Sequence, residues 1–179
     1  MSAGFPLAEI GDEAILHTTA TFDTEPKTVD DRRAWFEAHE PRQPVLVAEE
    51  DGVVCGYACL SKWSDRCAYD ETAETSFYVK GGFQGRGIGR ALKGAIIQAA
   101  RDLGYHTLLA RVAAGSDASL HLNREFGFEL VGTMKEVGMK FGRRIDVHLL
   151  QLMLRKQVRT ARPDLLQIRN RPRPRPPEL

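Results

Sequence analysis

Between residues 81 and 90 the chain reads Gly-Gly-Phe-Gln-Gly-Arg-Gly-Ile-Gly-Arg, five glycines in ten positions. Glycine backbone approaches an anion closely and adopts positive φ without steric penalty, and the N–H groups that open a helix favour negative charge. Such a loop, set between a strand and a helix, is a device for holding phosphate oxygens; the plain alternative is a flexible surface loop. Two phosphate-binding designs are excluded. No Gly-Lys-Ser/Thr follows, because the chain continues Arg90-Ala91-Leu92, so this is not the loop of a nucleotide hydrolase. The preceding strand follows a hairpin instead of opening a βαβ unit, which argues against a dinucleotide fingerprint. What remains is a phosphate-bearing ligand.

The elements that must position this loop are legible on both sides of it. Thr72 to Val79 is rich in β-formers and predicts a strand. After the loop Ile88, Ala91, Leu92, Ala95, Ile96, Ala99 and Leu103 recur at steps of three and four, the clearest amphipathic helix in the chain, with Gly104 placed for a left-handed C-terminal cap. Upstream, residues 7 to 16 predict a short helix weakened by Gly11, and Thr28 caps a second over 29 to 39. Val45 to Glu49 and Val53 to Leu60 flank Glu50-Asp51-Gly52, a hairpin signature. Downstream come a strand over 107 to 112, a helix from an Asp117 N-cap to about Arg124, and strands over 128 to 131 and 145 to 154. Antiparallel strands followed by helical crossovers imply an α/β fold with a mixed central sheet flanked by helices.

The chain has 179 residues, 42% hydrophobic and 27% charged, the composition of one globular domain. Cys55, Cys59 and Cys67 are an odd count in a short window, with no secretory h-region ahead of them, which favours a reducing, cytoplasmic setting. Cys55 and Cys59 are expected on one face of one strand, without a nearby histidine, as small buried residues instead of metal ligands. No apolar stretch reaches the ~18 residues of a membrane-spanning helix. Charge is divided unevenly: residues 155–179 carry eight basic residues against Asp164 and Glu178, which leaves 1–154 net acidic. An acidic body is a poor platform for nucleic acid. The Pro/Arg-rich tail cannot bury a core and is expected to be a solvated, disordered or polyproline-like segment, so the domain is expected over 1–154.

With Gln84, Gly87 and Gly89 in place, the loop resembles the pyrophosphate signature Gln/Arg-x-x-Gly-x-Gly/Ala of the GNAT superfamily of acetyl-CoA-dependent N-acetyltransferases. A closer resemblance, to phosphinothricin N-acetyltransferases, is carried by Thr21-Phe22-Asp23-Thr24-Glu25-Pro26, by the block from Trp63 through Arg66, Tyr69 and Glu74 to Tyr78-Val79, and by Gly138-x-Lys140-x-Gly142 with Asp146-Val147. These blocks span about residues 7 to 154 in order. The resemblance implies a GNAT fold in which acetyl-CoA enters a V-shaped opening between central strands. Phe77, Tyr78 and Val79 would meet the pantetheine and acetyl carbonyl, Gln84, Gly85, Arg86, Gly87, Ile88, Gly89 and Arg90 the pyrophosphate, and Ser116 the pantetheine arm. It further implies a homodimer, joined in part through Gly138 to Asp146, and no metal.

Transfer to an amine needs a base for the ammonium proton, donors for the developing oxyanion and a route for the departing thiolate. The resemblance assigns the base to Glu74; a backbone N–H near Val79 is the natural oxyanion donor. At the general-acid position, where relatives often carry Tyr or His, this chain has Asn123, whose amide donates a hydrogen bond but surrenders no proton. His121 points to another helix face and reads as surface. Phe22, Arg66 and Tyr69 fall in the blocks that line the acceptor pocket of the relatives, where an arginine pairs with an acceptor carboxylate or phosphinate. The implied reaction is acetylation of the α-amine of a small amino-acid-like substrate such as phosphinothricin or methionine sulfoximine. Two rivals stand beside it: acetylation of a peptide or protein amine, and a non-enzymatic acyl-CoA-binding module. Relatives also begin with a strand before the first helix, whereas this chain opens almost at that helix; either its start was placed late or that edge strand is lacking.

Overall fold

The computed structural model describes residues 6–39, 41–154 and the backbone of 167–170. In chain order the elements are α1 (Pro6–His17), α2 (Val29–Glu37), β1 (Val45–Glu50), β2 (Val53–Lys62), a 3-10 turn at Cys67–Tyr69, β3 (Thr72–Val79), α3 (Ile88–Asp102), β4 (Thr107–Ala113), α4 (Asp117–Glu125), β5 (Glu129–Lys140), β6 (Arg143–Met153) and β7 (Gln167–Asn170). One seven-stranded sheet runs β5-β6-β4-β3-β2-β1-β7. Every pair given a register is antiparallel except β3 with β4, which the α3 crossover makes parallel.

The two sheet faces bury separate apolar clusters. On one, α3 and α4 cover Ala58, Leu60, Leu108 and Leu150 with Leu92, Ile96 and Leu120; on the other, Leu7 and Ile10 of α1 and Trp35 of α2 pack over Val45, Val47 and Tyr57. Full burial of one such aliphatic side chain contributes about 1.5 to 3 kcal/mol. Gly11, which weakens α1 as an isolated helix, sits where a Cβ would collide with the Arg32 guanidinium, so the glycine lets α2 lay its buried arginine across α1. Thr28 forms a reciprocal capping box with Asp31 at the start of α2.

Five expectations change. The buried face of α3 consists of Ile88, Leu92, Lys93, Ile96, Ile97 and Ala100, turned by about one residue from the periodic stripe and containing a lysine. The N-cap of α4 is Ser116, and Asp117 is its first helical residue. Cys55 and Cys59 lie in different clusters because the β1–β2 register shifts beyond Ala48, leaving Cys55 as an extra residue. The expectation of a tail that builds no packed structure is corrected at Gln167–Asn170, which pair antiparallel with Leu46–Glu49 and cover the β1 edge. No strand precedes α1 among the described residues. The rest of the tail lies outside those residues. β5 is also much longer than 128 to 131, its solvent face too irregular to read as alternation.

Candidate active site

Parallel pairing of β3 with β4 ends after three residue pairs, Thr72–Thr107, Ala73–Leu108 and Glu74–Leu109. Beyond Glu74 the two strands part, β3 running on to Val79 and β4 to Ala113. The parting opens a cavity of about 730 Å³, lined by Ser76 to Val79 of β3, Ala110 to Ala113 of β4, α1, α4 and the glycine loop. A parallel sheet normally closes such a gap with hydrogen bonds, so the free β3 backbone offers its donors and acceptors to a ligand.

The glycine loop forms one wall. Gly85 and Gly87 have φ of +76° and +82°, and a Cβ built on either meets nothing within 4 Å, so the loop presents open backbone. Gly87 is the N-cap of α3 and makes no side-chain cap, which leaves the first-turn N–H groups directed at the cavity mouth. Gln84, Gly89 and Arg90 line the same wall. Arg90 pairs with Glu125 of α4, whereas Arg86 pairs with Glu50 at 3.0 Å and lies over the Phe83 ring, away from the cavity. The side chain of Ile88 is in the core. Helix α1 latches the loop from behind, Glu13 Oε2 accepting the Gly81 N–H at 3.0 Å and Glu9 pairing with Lys80. This cradle has the shape and polarity that a pyrophosphate requires: open backbone, a helix N-terminus and a nearby arginine.

At the closed end of the parting stands Glu74, its side chain 13% exposed. Arg111 of β4 donates to both carboxylate oxygens, Nε to Oε1 and Nη2 to Oε2, each at 2.6 Å. The bidentate bond raises the Arg111 pKa above its ordinary value and fixes the carboxylate plane. Arg111, 54% exposed, lines the cavity; Glu74 reaches it through this partner. Tyr78 also lines the cavity and stacks on Tyr57 with ring centroids 5.0 Å apart, burial pushing its hydroxyl up to about 12. Asn123 of α4 is 1% exposed; its Nδ2 donates to Ser119 O at 2.8 Å, and its buried Oδ1 has no partner. Ser116, on the cavity wall, has its Oγ 3.4 Å from Thr19 Oγ1.

The sequence-predicted residues thus divide. Phe77, Tyr78, Val79, Gln84, Gly85, Gly87, Gly89, Arg90, Ser116 and Asn123 share the cavity. Phe22, Arg66 and Tyr69 do not line it: Phe22 packs on β5, its ring 2.7 Å from where a Gly138 Cβ would stand, and Arg66 and Tyr69 are exposed around the 3-10 turn. His121 is exposed, as read, yet lies on the cavity wall. Sequence reasoning missed Arg111 and Lys93. The signal for Arg111 was a lone charge in an otherwise apolar strand. No cluster of three or more His, Cys, Asp or Glu able to hold a metal occurs among the described residues.

A mixed sheet parted beside a strand–glycine-loop–helix cradle defines an acyl-CoA-type transferase scaffold. The sequence profile of the Acetyltransferase (GNAT) family matches residues 12–128, and the chain belongs to that family. It is 42% identical over 149 residues to the L-amino acid N-acyltransferase MnaT of Escherichia coli K12, covering 83% of this chain and 87% of the relative. It is 40% identical over 149 residues to the L-methionine sulfoximine/L-methionine sulfone acetyltransferase of Salmonella typhimurium LT2, with the same two coverages of 83% and 87%. Among solved structures it is similar to a GNAT superfamily phosphinothricin acetyltransferase from Sinorhizobium meliloti in complex with acetyl-CoA, at 32% identity and a TM-score of 0.80, covering 89% of this chain and 90% of that one.

Proposed function

We propose that this acetyltransferase moves the acetyl group of acetyl-CoA to the α-amine of a small amino-acid-like substrate of the phosphinothricin or methionine sulfoximine type. The observation that carries the reading is the arrangement of the parting: the phosphate cradle at its mouth and the Glu74–Arg111 pair at its closed end, with free β3 backbone between them. Gly85 to Arg90 hold the pyrophosphate of acetyl-CoA, and the β3 backbone holds its pantetheine arm. Arg111 is the cation an acceptor carboxylate meets on the cavity wall, and its long exposed side chain exchanges one carboxylate for another. Glu74, released from that bond, takes the ammonium proton of the acceptor. The neutral amine then attacks the thioester carbonyl carbon; the C–N bond forms, the C–S bond breaks as the CoA thiolate leaves with its electron pair, and the nitrogen gives up its second proton to solvent to leave the amide. A backbone N–H near Val79 steadies the oxyanion. Phe22, Arg66 and Tyr69 belong to the outer acceptor mouth in this reading.

The exposed apolar side chains of Val131, Val137 and Met139 on β5 and of Phe141 in the turn after it suit the proposed homodimer. No helix among the described residues is long and apolar enough to cross a membrane.

The test is thiol release from acetyl-CoA over a panel of phosphinothricin, methionine sulfoximine, methionine sulfone, free amino acids and short peptides, with Glu74→Gln alongside. Turnover of the amino-acid analogues, lowered at least ~10²-fold by the substitution, is the expected result. Turnover of peptides alone selects the peptide-acetylating rival. Acetyl-CoA binding with no turnover on any amine selects the binding module.

A further inference from the structure

Side chains alternate between the two faces of a sheet, and on either side of the parting this alternation sorts the polar groups from the apolar ones. Ala73 and Phe77 of β3 and Ala110 and Val112 of β4 join the apolar cluster under α3. Glu74 and Tyr78 of β3 point to the opposite face, where Arg111 of β4 meets Glu74. On that face Arg111 stands between Glu74 and the cavity: it is 54% exposed and lines the wall, whereas the Glu74 side chain is 13% exposed and lies behind it. Both Glu74 oxygens accept from the guanidinium at 2.6 Å. The other arginine on the cavity wall, Arg90, is engaged by Glu125 beside the glycine loop.

A carboxylate held in this way is not free to take a proton from an amine. Withdrawal of Arg111 alone would leave a nearly buried carboxylate without a counter-charge, which is costly. The Cys59 thiol beside Glu74 offers no compensation, because burial, and after it the Glu74 charge, push it up to about 12 and keep it neutral. The pair therefore opens at low cost only when a cation replaces Arg111 on Glu74 and an anion replaces Glu74 on Arg111 together. An α-amino acid carries both charges on one carbon atom.

We propose that the Glu74–Arg111 pair is a lock opened by the α-amino-carboxylate zwitterion of the acceptor. The acceptor carboxylate takes the Arg111 guanidinium, the α-ammonium takes the vacated Glu74, and one proton then moves from that nitrogen to the Glu74 carboxylate, leaving the neutral amine. This inference rests on the function proposed above and deepens it: the acceptor carboxylate is an activator as well as a handle. An amine without a carboxylate still enters the cavity but meets a base that Arg111 holds. A small free carboxylate such as formate supplies the missing anion, so amine and formate together replace the zwitterion.

The test compares methionine sulfone with its α-carboxamide, which has nearly the same shape and an amine that is more readily neutral. With the native protein at saturating acetyl-CoA, the amide is expected to show a kcat at least ~10²-fold lower, the worth of a well-placed base. Formate is expected to raise amide turnover saturably, by ~10-fold or more. In Arg111→Met the base is never held, so methionine sulfone turnover falls, the amide turns over ~10-fold or more faster than with the native protein, and formate has no effect. Equal acetyl-CoA affinity shows that the variant folds with its cradle intact; if it does not fold, the formate experiment on the native protein decides alone. An amide defect confined to KM, native turnover of the amide that formate leaves unchanged, or amide turnover by folded Arg111→Met at or below the native level overturns the lock. Any of these with methionine sulfone still acetylated leaves the proposed function standing, whereas no turnover of methionine sulfone or of any other amino acid overturns that function and the lock with it.

Discussion

A buried lysine with no hydrogen-bond partner among the described residues leaves a mark on stability. Lys93 titrates near 7 in the folded protein against an ordinary 10.5. Between those values the unfolded chain binds the extra proton, so stability rises with pH across that window and is lowest below it. Lys93→Met, which keeps the length and removes the charge, is expected to be more stable by about 3 kcal/mol at pH 6 and to show little of this dependence. Urea unfolding at pH 6 and pH 9 measures both, and a variant less stable at pH 6 would show that the ammonium is solvated or paired. At this scale the sequence was uneven in what it disclosed. The glycines were readable because their chemistry depends on local spacing. Arg111 was not, because it meets Glu74 only through the register of two strands 37 positions apart. Lys93 stands at helical spacing from Ile96, Ile97 and Ala100, so a stripe traced without regard to residue type would have buried it.

Elements position the cradle more than loop sequence does. Helix α1 holds Gly81 through Glu13 and Lys80 through Glu9, so the loop hangs between a helix on one sheet face and α3 on the other. Glu13→Ala removes one charge-assisted bond and is expected to raise the KM for acetyl-CoA about 3- to 10-fold, with a smaller fall in kcat, in steady-state assays at saturating acceptor. An unchanged KM would mean that the loop is rigid without its latch. Nearly every element was legible as a type: β3 is found at the residues where β-formers predicted it, and Thr28 caps α2 as read, although that helix stops at Glu37 instead of 39. The misses have particular causes. The extra residue at Cys55 inverts a face by one register step, and the solvent-facing stretch of β5 lacks the alternation that burial on one side imposes.

For the molecule as a whole, the sheet edge is the place where sequence and structure part. The sequence left open whether an edge strand is lacking, and the tail suggested solvent. Gln167–Asn170 instead run along Leu46–Glu49. Four residues with one aliphatic among them give no strand signal of their own; the pairing is decided by an unpaired row of backbone groups far away in sequence. Removal of residues 155–179 is expected to leave the cavity intact and to uncover that row, producing concentration-dependent self-association measurable by light scattering. A truncated protein as well behaved as the native one would show that β7 adds nothing to the edge.

The order in which the chain is made gives β7 a further meaning. Every strand from β1 to β6 precedes Leu154, so the parting and its cradle are synthesised before their sheet is closed at β1. Among the described strands the β1–β7 pairing is therefore the one made between the segments farthest apart in sequence, so the edge is closed only by a contact that the rest of the sheet does not depend on.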